Sequence, residues 1–467
     1  MMNMLIVIVL VLSSFNVLGQ VDSTFVLNYQ DFIKIVIQEH PFAKQAEIKI
    51  YEGEANLLYA KGAFDPKIYT EINQKLFKGD EYYSQINGGL KIPTWFGVEL
   101  KGGYEQNRGV YLNPENTTPN SGLLYAGVSF PIGQGLFIDK RRAELKKAKL
   151  FSQVSELERQ IILNELIFRA SVTYWEWFKN YNSLEVYKDA YRLATERHQA
   201  IILSTKIGDK PAIDALEAGI QAQSRLLGLQ QAELEYKNSS MLLSIYIWED
   251  GIIPLELAKG TIPVSISKVT ALNPDISYAE IDSLVNIHPA LNQSRLVIDQ
   301  FKIDKRLKKN QLLPTLNLKY NPITEYVGGE LLSNFSFDNY TWGLEFQMPI
   351  FLRKERGSLK LTELKIEEYK LQLSNKQELL KYKVTSEWNK WNTTISQIDL
   401  YTRTVDDTKT LLEGEQRLFE FGESSLFKLN AREVKYIQTQ LKYIELLTKN
   451  RNAALKIKYI IGTLQNQ

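Results

Sequence analysis

Two long stretches of this chain, from about Asp139 to Lys206 and from about Arg353 to Phe421, hold no proline, little glycine and mostly helix formers. A helix of about 68 residues rises about 100 Å at 1.5 Å per residue, deeper than any globular core. Such helices must lie along one another. Apolar residues spaced by threes and fours supply the faces: Val154, Leu157, Ile161, Phe168, Trp175 and Phe178 in one, Trp388, Trp391, Ile395 and Ile398 in the other. Asn164 and Ser171 interrupt the first stripe, and Trp177 and Tyr181 fall outside a single seam. That predicts helices packed on two sides rather than a two-stranded coiled coil.

The two stretches are copies. Phe137–Arg142 matches Phe351–Arg356 at a displacement of 214, which also carries Tyr174 onto Trp388, Trp177 onto Trp391 and Ile207-Gly208 onto Phe421-Gly422. Upstream, His40-Pro41 recurs as His288-Pro289 and Pro66 as Pro314 at 248, and Pro131 recurs as Pro349 at 218. The drop from 248 to 218 leaves thirty extra residues in the first copy, able to add a hairpin beyond the strands or to lengthen them. The expected boundaries are 1–19 for a signal peptide and 20–249 for the first repeat, with strands about 66–131 and long helices about 139–248. A linker, 250–285, precedes the second repeat, 286–467, with strands about 314–350 and long helices about 353–461. Both His-Pro pairs suit helix starts with proline at the first helical position. With no Cys, His or acidic cluster beside them, these histidines read as structural rather than metal-ligating.

The segments between the helices alternate. In Tyr340–Met348 one face is Tyr340, Trp342, Leu344, Phe346 and Met348, and the other Thr341, Gly343, Glu345 and Gln347. Leu124–Phe130 keeps the same phase, and Thr315–Tyr320 and Phe96–Lys101 alternate too. One such strand fits a soluble sandwich; four, with aromatic ends (Tyr82, Tyr83, Trp95, Tyr104, Tyr111, Tyr326, Phe335, Phe337, Tyr340), fit a barrel with lipid outside and water inside. Tyr340, Trp342, Leu344, Phe346 and Met348 are the expected lipid-facing residues. Thr315, Asn317, Lys319, Glu345 and Gln347 are the expected lumen residues. About two strands per half cannot close a barrel, since about eight are the minimum, so several copies must share one.

Composition narrows the function. The chain has 56 Lys+Arg against 54 Asp+Glu, which leaves no basic excess for nucleic acid. It has no Cys, hence no disulfide, thiol nucleophile or Cys-ligated metal. Neither a phosphate loop, Gly-x-Ser-x-Gly, nor His-Glu-x-x-His occurs, so an enzyme, a cofactor and a catalytic or metal site are not expected. Leu5–Leu12 is an apolar run, and Val17-Leu18-Gly19 has modest side chains before Gln20, as in a cleaved secretory signal.

The duplication, the Gly62-Ala63-Phe64-Asp65-Pro66 entry to the strands, the Pro131-Ile132-Gly133 exit, the breaks Ile207–Asp214 and Phe421–Leu426, and Gly462 near the C-terminus together resemble the TolC-like outer-membrane efflux protein family over essentially the whole mature chain. The resemblance implies a mainly α fold with a β-barrel part: a homotrimeric α-barrel crossing the periplasm, continuous with a 12-strand transmembrane barrel, four strands per copy, in the outer membrane. The linker would be the equatorial region. It also implies a passive exit duct for small molecules or polypeptides, working with a periplasmic adaptor and an inner-membrane transporter in a tripartite efflux pump or type I secretion system. The helix breaks would lie at the periplasmic entrance, which makes Gly208, Asp214, Gly422, Ser424 and Lys428 the entrance candidates. Lys428 stands where the family places an acidic residue, and Asp214 with Lys428 could form an ion pair there or simply face solvent. The alternative is a periplasmic coiled-coil adaptor or scaffold, which would hold compact β domains.

Overall fold

In chain order the elements are β1 (Phe25–Leu27), α1 (Tyr29–Glu39), α2 (Pro41–Lys61), β2 (Lys67–Phe77), β3 (Asp80–Pro93), β4 (Glu99–Arg108), β5 (Leu123–Pro131), α3 (Lys140–Lys206) and α4 (Ala212–Ser244). Then follow β6 (Trp248–Glu249), β7 (Ile253–Pro254), β8 (Thr261–Pro263), α5 (Ile281–Asn286), α6 (Pro289–Asn310), β9 (Thr315–Glu325), β10 (Tyr340–Gln347), α7 (Arg353–Glu420) and α8 (Leu426–Ile461). The structure is a computed structural model and describes residues 25–273, 277–325 and 335–466. The expected signal peptide (1–19) and Tyr326 lie outside the described residues. Two compact units form: one from Phe42–Glu165, Ile276–Ser386 and the residues from Lys458 on, the other from the residues up to Pro41, Leu166–Asp275 and Glu387–Ile457.

The first unit holds one antiparallel sheet in the order β10-β9-β5-β4-β3-β2. The sheet has six strands, where the resemblance implies four barrel strands per copy. The thirty extra residues neither cap the sheet nor lengthen its strands. They form β3 and β4, hydrogen-bonded between the two strands that the duplication matches to β9 and β10. Of the alternating segment Phe96–Lys101, only the end from Glu99 is strand. Phe96 and Gly97 sit in the β3–β4 turn, where Gly97 takes φ +98 and the Thr94 N–H donates to the Val98 carbonyl at 3.0 Å.

Helices of the same unit pack through Ile138, Ala143 and Leu307. His288 caps α6: its Nδ1 accepts from the Ala290 N–H at 2.9 Å, with Pro289 as the first helical residue. Burial, helped by the Lys376 charge, pushes the His288 pKa down to about 4. Asn164, an interruption of the apolar stripe, is buried and tethers the chain end. Its Nδ2 donates to the Tyr459 carbonyl at 2.7 Å and its Oδ1 accepts from the Leu464 N–H at 3.3 Å.

The second unit is built on aromatics. Phe32, Tyr174, Trp177, Phe178 and Trp391 are fully buried, each worth about 2–3 kcal/mol of transfer from water. Their polar atoms are matched: Tyr174 Oη donates to the Leu27 carbonyl at 2.8 Å, Trp177 Nε1 to Ser240 Oγ at 3.1 Å and Trp391 Nε1 to the Leu272 carbonyl at 2.8 Å. Ser171, the other interruption, is buried and shares a hydrogen bond with Tyr29 at 2.8 Å. Both polar residues that break the α3 stripe thus fix a neighbouring segment.

Candidate functional site

Apart from a register shift between Lys75 and Leu76 near the β2–β3 turn, the strand pairs of the sheet keep one parity. Side chains at Ile68, Ile72, Ile86, Leu90, Ile92, Leu100, Val128, Phe130, Leu316 and Leu318 fall on one face, in register with Trp342, Leu344 and Phe346. That face is bare: Ile68 is 86 % exposed and Trp342 65 %. The expected lipid-facing Tyr340, Trp342, Leu344 and Phe346 all lie on it, and Met348 follows the last strand residue. Such a surface on a sheet is too large to leave in water without a partner or a lipid phase.

The opposite face is polar. It carries the expected Thr315, Asn317, Lys319, Glu345 and Gln347, with Lys319 Nζ 3.1 Å from Glu345 Oε2. Lys91 and Lys101 lie 3.2 and 3.8 Å from Glu99 on the first-half strands. The sheet curls around this face, since Tyr69 of β2 and Thr341 of β10, its two edge strands, line one cavity of about 410 Å3 with Asn87, Lys101, Tyr125 and Asn321. Gly103 allows the curl at one point: a Cβ there would lie 2.5 Å from Tyr125 Oη.

The β4–β5 connection reaches the same cavity through Glu115–Thr118. It is held to the sheet by reciprocal bonds. The Asn107 N–H donates to Thr118 Oγ1 at 2.9 Å, Thr118 Oγ1 to the Asn107 carbonyl at 3.2 Å, and Asn107 Nδ2 to the Asn116 carbonyl at 2.9 Å. Farther along, Ser121 Oγ donates to Glu325 Oε1 at 2.7 Å. Sequence reasoning missed Asn107. It reads as one more polar residue on a strand, and only the loop's return shows its use.

The two helix breaks are built alike. Gly208 (φ +79) and Gly422 (φ +77) end α3 and α7 in the left-handed region, and Asp209 and Glu423 donate their N–H back to the Ser204 and Leu418 carbonyls at 3.0 and 2.8 Å. This is the Schellman cap in both repeats. Beyond the caps the chemistry diverges. Asp214 sits in the first turn of α4, where the helix dipole favours an anion. Lys428 holds the matching place on α8. Asp214 and Lys428 form no ion pair with each other. Lys428 instead shares a cluster with Glu415, whose carboxylate is held below its usual range first by the Ser424 hydroxyl, then by Arg432 and Lys428.

A buried ionic cluster that the sequence did not single out joins both repeats near these breaks. Glu433 of α8 pairs with Arg197 of α3 and lies 3.8 Å from Arg225 of α4. Asn430 accepts from Arg197 Nη1 at 3.4 Å and donates to Glu217 at 3.3 Å. On the outside of α4, Ile213, Ile220, Leu227, Leu234 and Met241 recur every seven residues and are all exposed, the signature of a seam awaiting another helix.

Residues 281–463 match the family described as outer membrane efflux protein. Solved structures share the fold along nearly the whole chain. The CmeC outer membrane channel of Campylobacter jejuni is 15% identical with a TM-score of 0.66, over 93% of this chain and 85% of that one. The open-state MtrE outer membrane channel of Neisseria gonorrhoeae gives 13% and 0.67, over 93% and 88%. The outer membrane protein VceC of Vibrio cholerae gives 11% and 0.64, over 93% and 96%. No curated protein matches in sequence. The chain thus resembles the TolC-like outer-membrane efflux proteins, in sequence over its second half and in fold over its length. That family consists of channels, not enzymes. Among the described residues no helix is long and apolar enough to cross a membrane.

Proposed function

We propose that three copies of this chain form a passive export duct in the outer membrane, extending into the periplasm, fed by an inner-membrane transporter through a periplasmic adaptor in a tripartite pump or type I secretion system. The observation that carries this reading is the sheet: one face apolar and bare, the other polar and curled around a cavity, and both edges unpaired among the described residues. Lipid satisfies the first face, water the second, and neighbouring copies the edges. The exposed heptad seam of α4 supplies helical contact between copies. On this reading Thr315, Asn317, Lys319, Glu345 and Gln347 line the lumen. Gly208, Asp214, Gly422, Ser424 and Lys428 lie at the periplasmic entrance. The mature chain would begin near Gln20, and the repeats would run 20–249 and 286–467. A soluble adaptor is disfavoured because nothing among the described residues covers the apolar sheet face. Fractionation tests the reading: the protein is expected in the outer-membrane fraction, released by detergent alone. Recovery in the soluble periplasm would contradict it.

A further inference from the structure

We infer that β3 and β4 are part of the transmembrane wall, so that each copy contributes six strands and a trimer closes an 18-strand barrel whose lumen is narrowed by the β4–β5 connection. The inference rests on the duct reading and departs from the four strands per copy that the family resemblance implies.

Three observations carry it. The added hairpin keeps the parity of the whole sheet, with Ile86, Leu90, Ile92 and Leu100 on the bare apolar face and Asn87, Lys91, Lys101 and Glu105 on the polar one. A hairpin standing in water above the membrane has no reason to keep that phase. Its place in the sheet gives the second argument. Among the described residues β2 pairs with β3 alone, so removing β3 and β4 from the wall would strand β2, whose Ile68 and Ile72 are exposed on the apolar face. The lengths agree as well: β3 has 14 residues and β4 has 10, where a tilted strand needs about 9–11 to cross lipid.

Adding two strands also leaves closure intact. With six strands alternating in direction, edge strands β2 and β10 run oppositely, and β10 of one copy meets β2 of the next in antiparallel fashion. Strands about 4.8 Å apart and tilted about 40° give a barrel about 24 Å across for 12 strands and about 36 Å for 18. The Asn107-anchored segment Glu115–Thr118, already folded over the polar face, occupies part of that added width.

The absence of cysteine makes the test clean. Single cysteines at Ile86, Asn87, Leu90 and Lys91 of β3, and at Leu316, Asn317, Leu318 and Lys319 of β9, are labelled with a charged thiol reagent in outer membranes containing the full chain. The expected result is alternation in both strands, polar-face sites reacting at least about tenfold faster, as lipid shields the other face. Uniform labelling in β3 beside alternation in β9 would overturn the six-strand wall and leave the duct standing. Uniform labelling in both would remove the duct reading and this inference with it. For the constriction, Asn107→Ala and, separately, Thr118→Ala are expected to raise single-channel conductance, up to about twofold as the lumen area opens. Unchanged conductance in both would overturn the loop's role.

Discussion

The two halves of the chain share an order of helix, strands, long helix and helix, and differ in how many strands each gives the sheet. The second supplies β9 and β10, the first β2 to β5. A strand has a period of two and a hairpin returns the chain to its starting end. An inserted hairpin that keeps its own alternation therefore preserves both the faces and the edge directions. The helical parts tolerate no such change, because each aromatic in the Tyr174, Trp177 and Trp391 cores meets a specific acceptor. One more strand hairpin in one half is thus cheap in the sheet, whereas a comparable change would be costly in the bundle.

Paired substitutions in the two halves test this. The largest effect is expected from Leu90→Arg and Leu344→Arg, one in the added hairpin and one in the duplicated strand, each losing up to about 2–4 kcal/mol from an arginine placed in lipid. Urea titration of the reconstituted protein measures both, and a harmless Leu90→Arg beside a damaging Leu344→Arg would break the equivalence of the strands. Next comes acid sensitivity at His288. Its folded pKa lies below the ordinary 6.5, so its contribution is fully present above pH 6.5 and lost as pH falls towards about 4, up to about 3 kcal/mol. His288→Asn keeps a capping side chain and is expected to flatten the stability profile between pH 6.5 and 4; an unchanged profile would remove His288 as its cause. At the two breaks, Gly208→Ala and Gly422→Ala are each expected to cost about 1 kcal/mol from the left-handed φ. Thermal unfolding would show the pair as equal if the caps are equivalent. Smallest of all, Asp214→Asn and Lys428→Gln should each change stability by less than about 1 kcal/mol while shifting ion preference in opposite directions. No shift in reversal potential would remove both from the pore.

Much of this was legible in the sequence. Proline-free length fixed the long helices, and period-two alternation placed Trp342 and Glu345 on opposite faces. The repeat arithmetic located the added residues but not their pairing, because hydrogen bonding between distant strands leaves no local mark. Stripe patterns hid the use of Asn164 and Ser171, since a buried polar residue reads as an interruption until its partner is known. The Arg197–Glu433 pair, 236 positions apart, was invisible for the same reason, and the separation of Asp214 from Lys428 depends on side-chain reach that spacing does not encode.

The central claim is a shared, passive pore, and single-channel recording on the purified full chain, with its mass measured in the same detergent, tests it most directly. Three copies per particle and a steady, ohmic conductance without nucleotide are the expected result. A stable single-copy particle that never conducts would contradict the account.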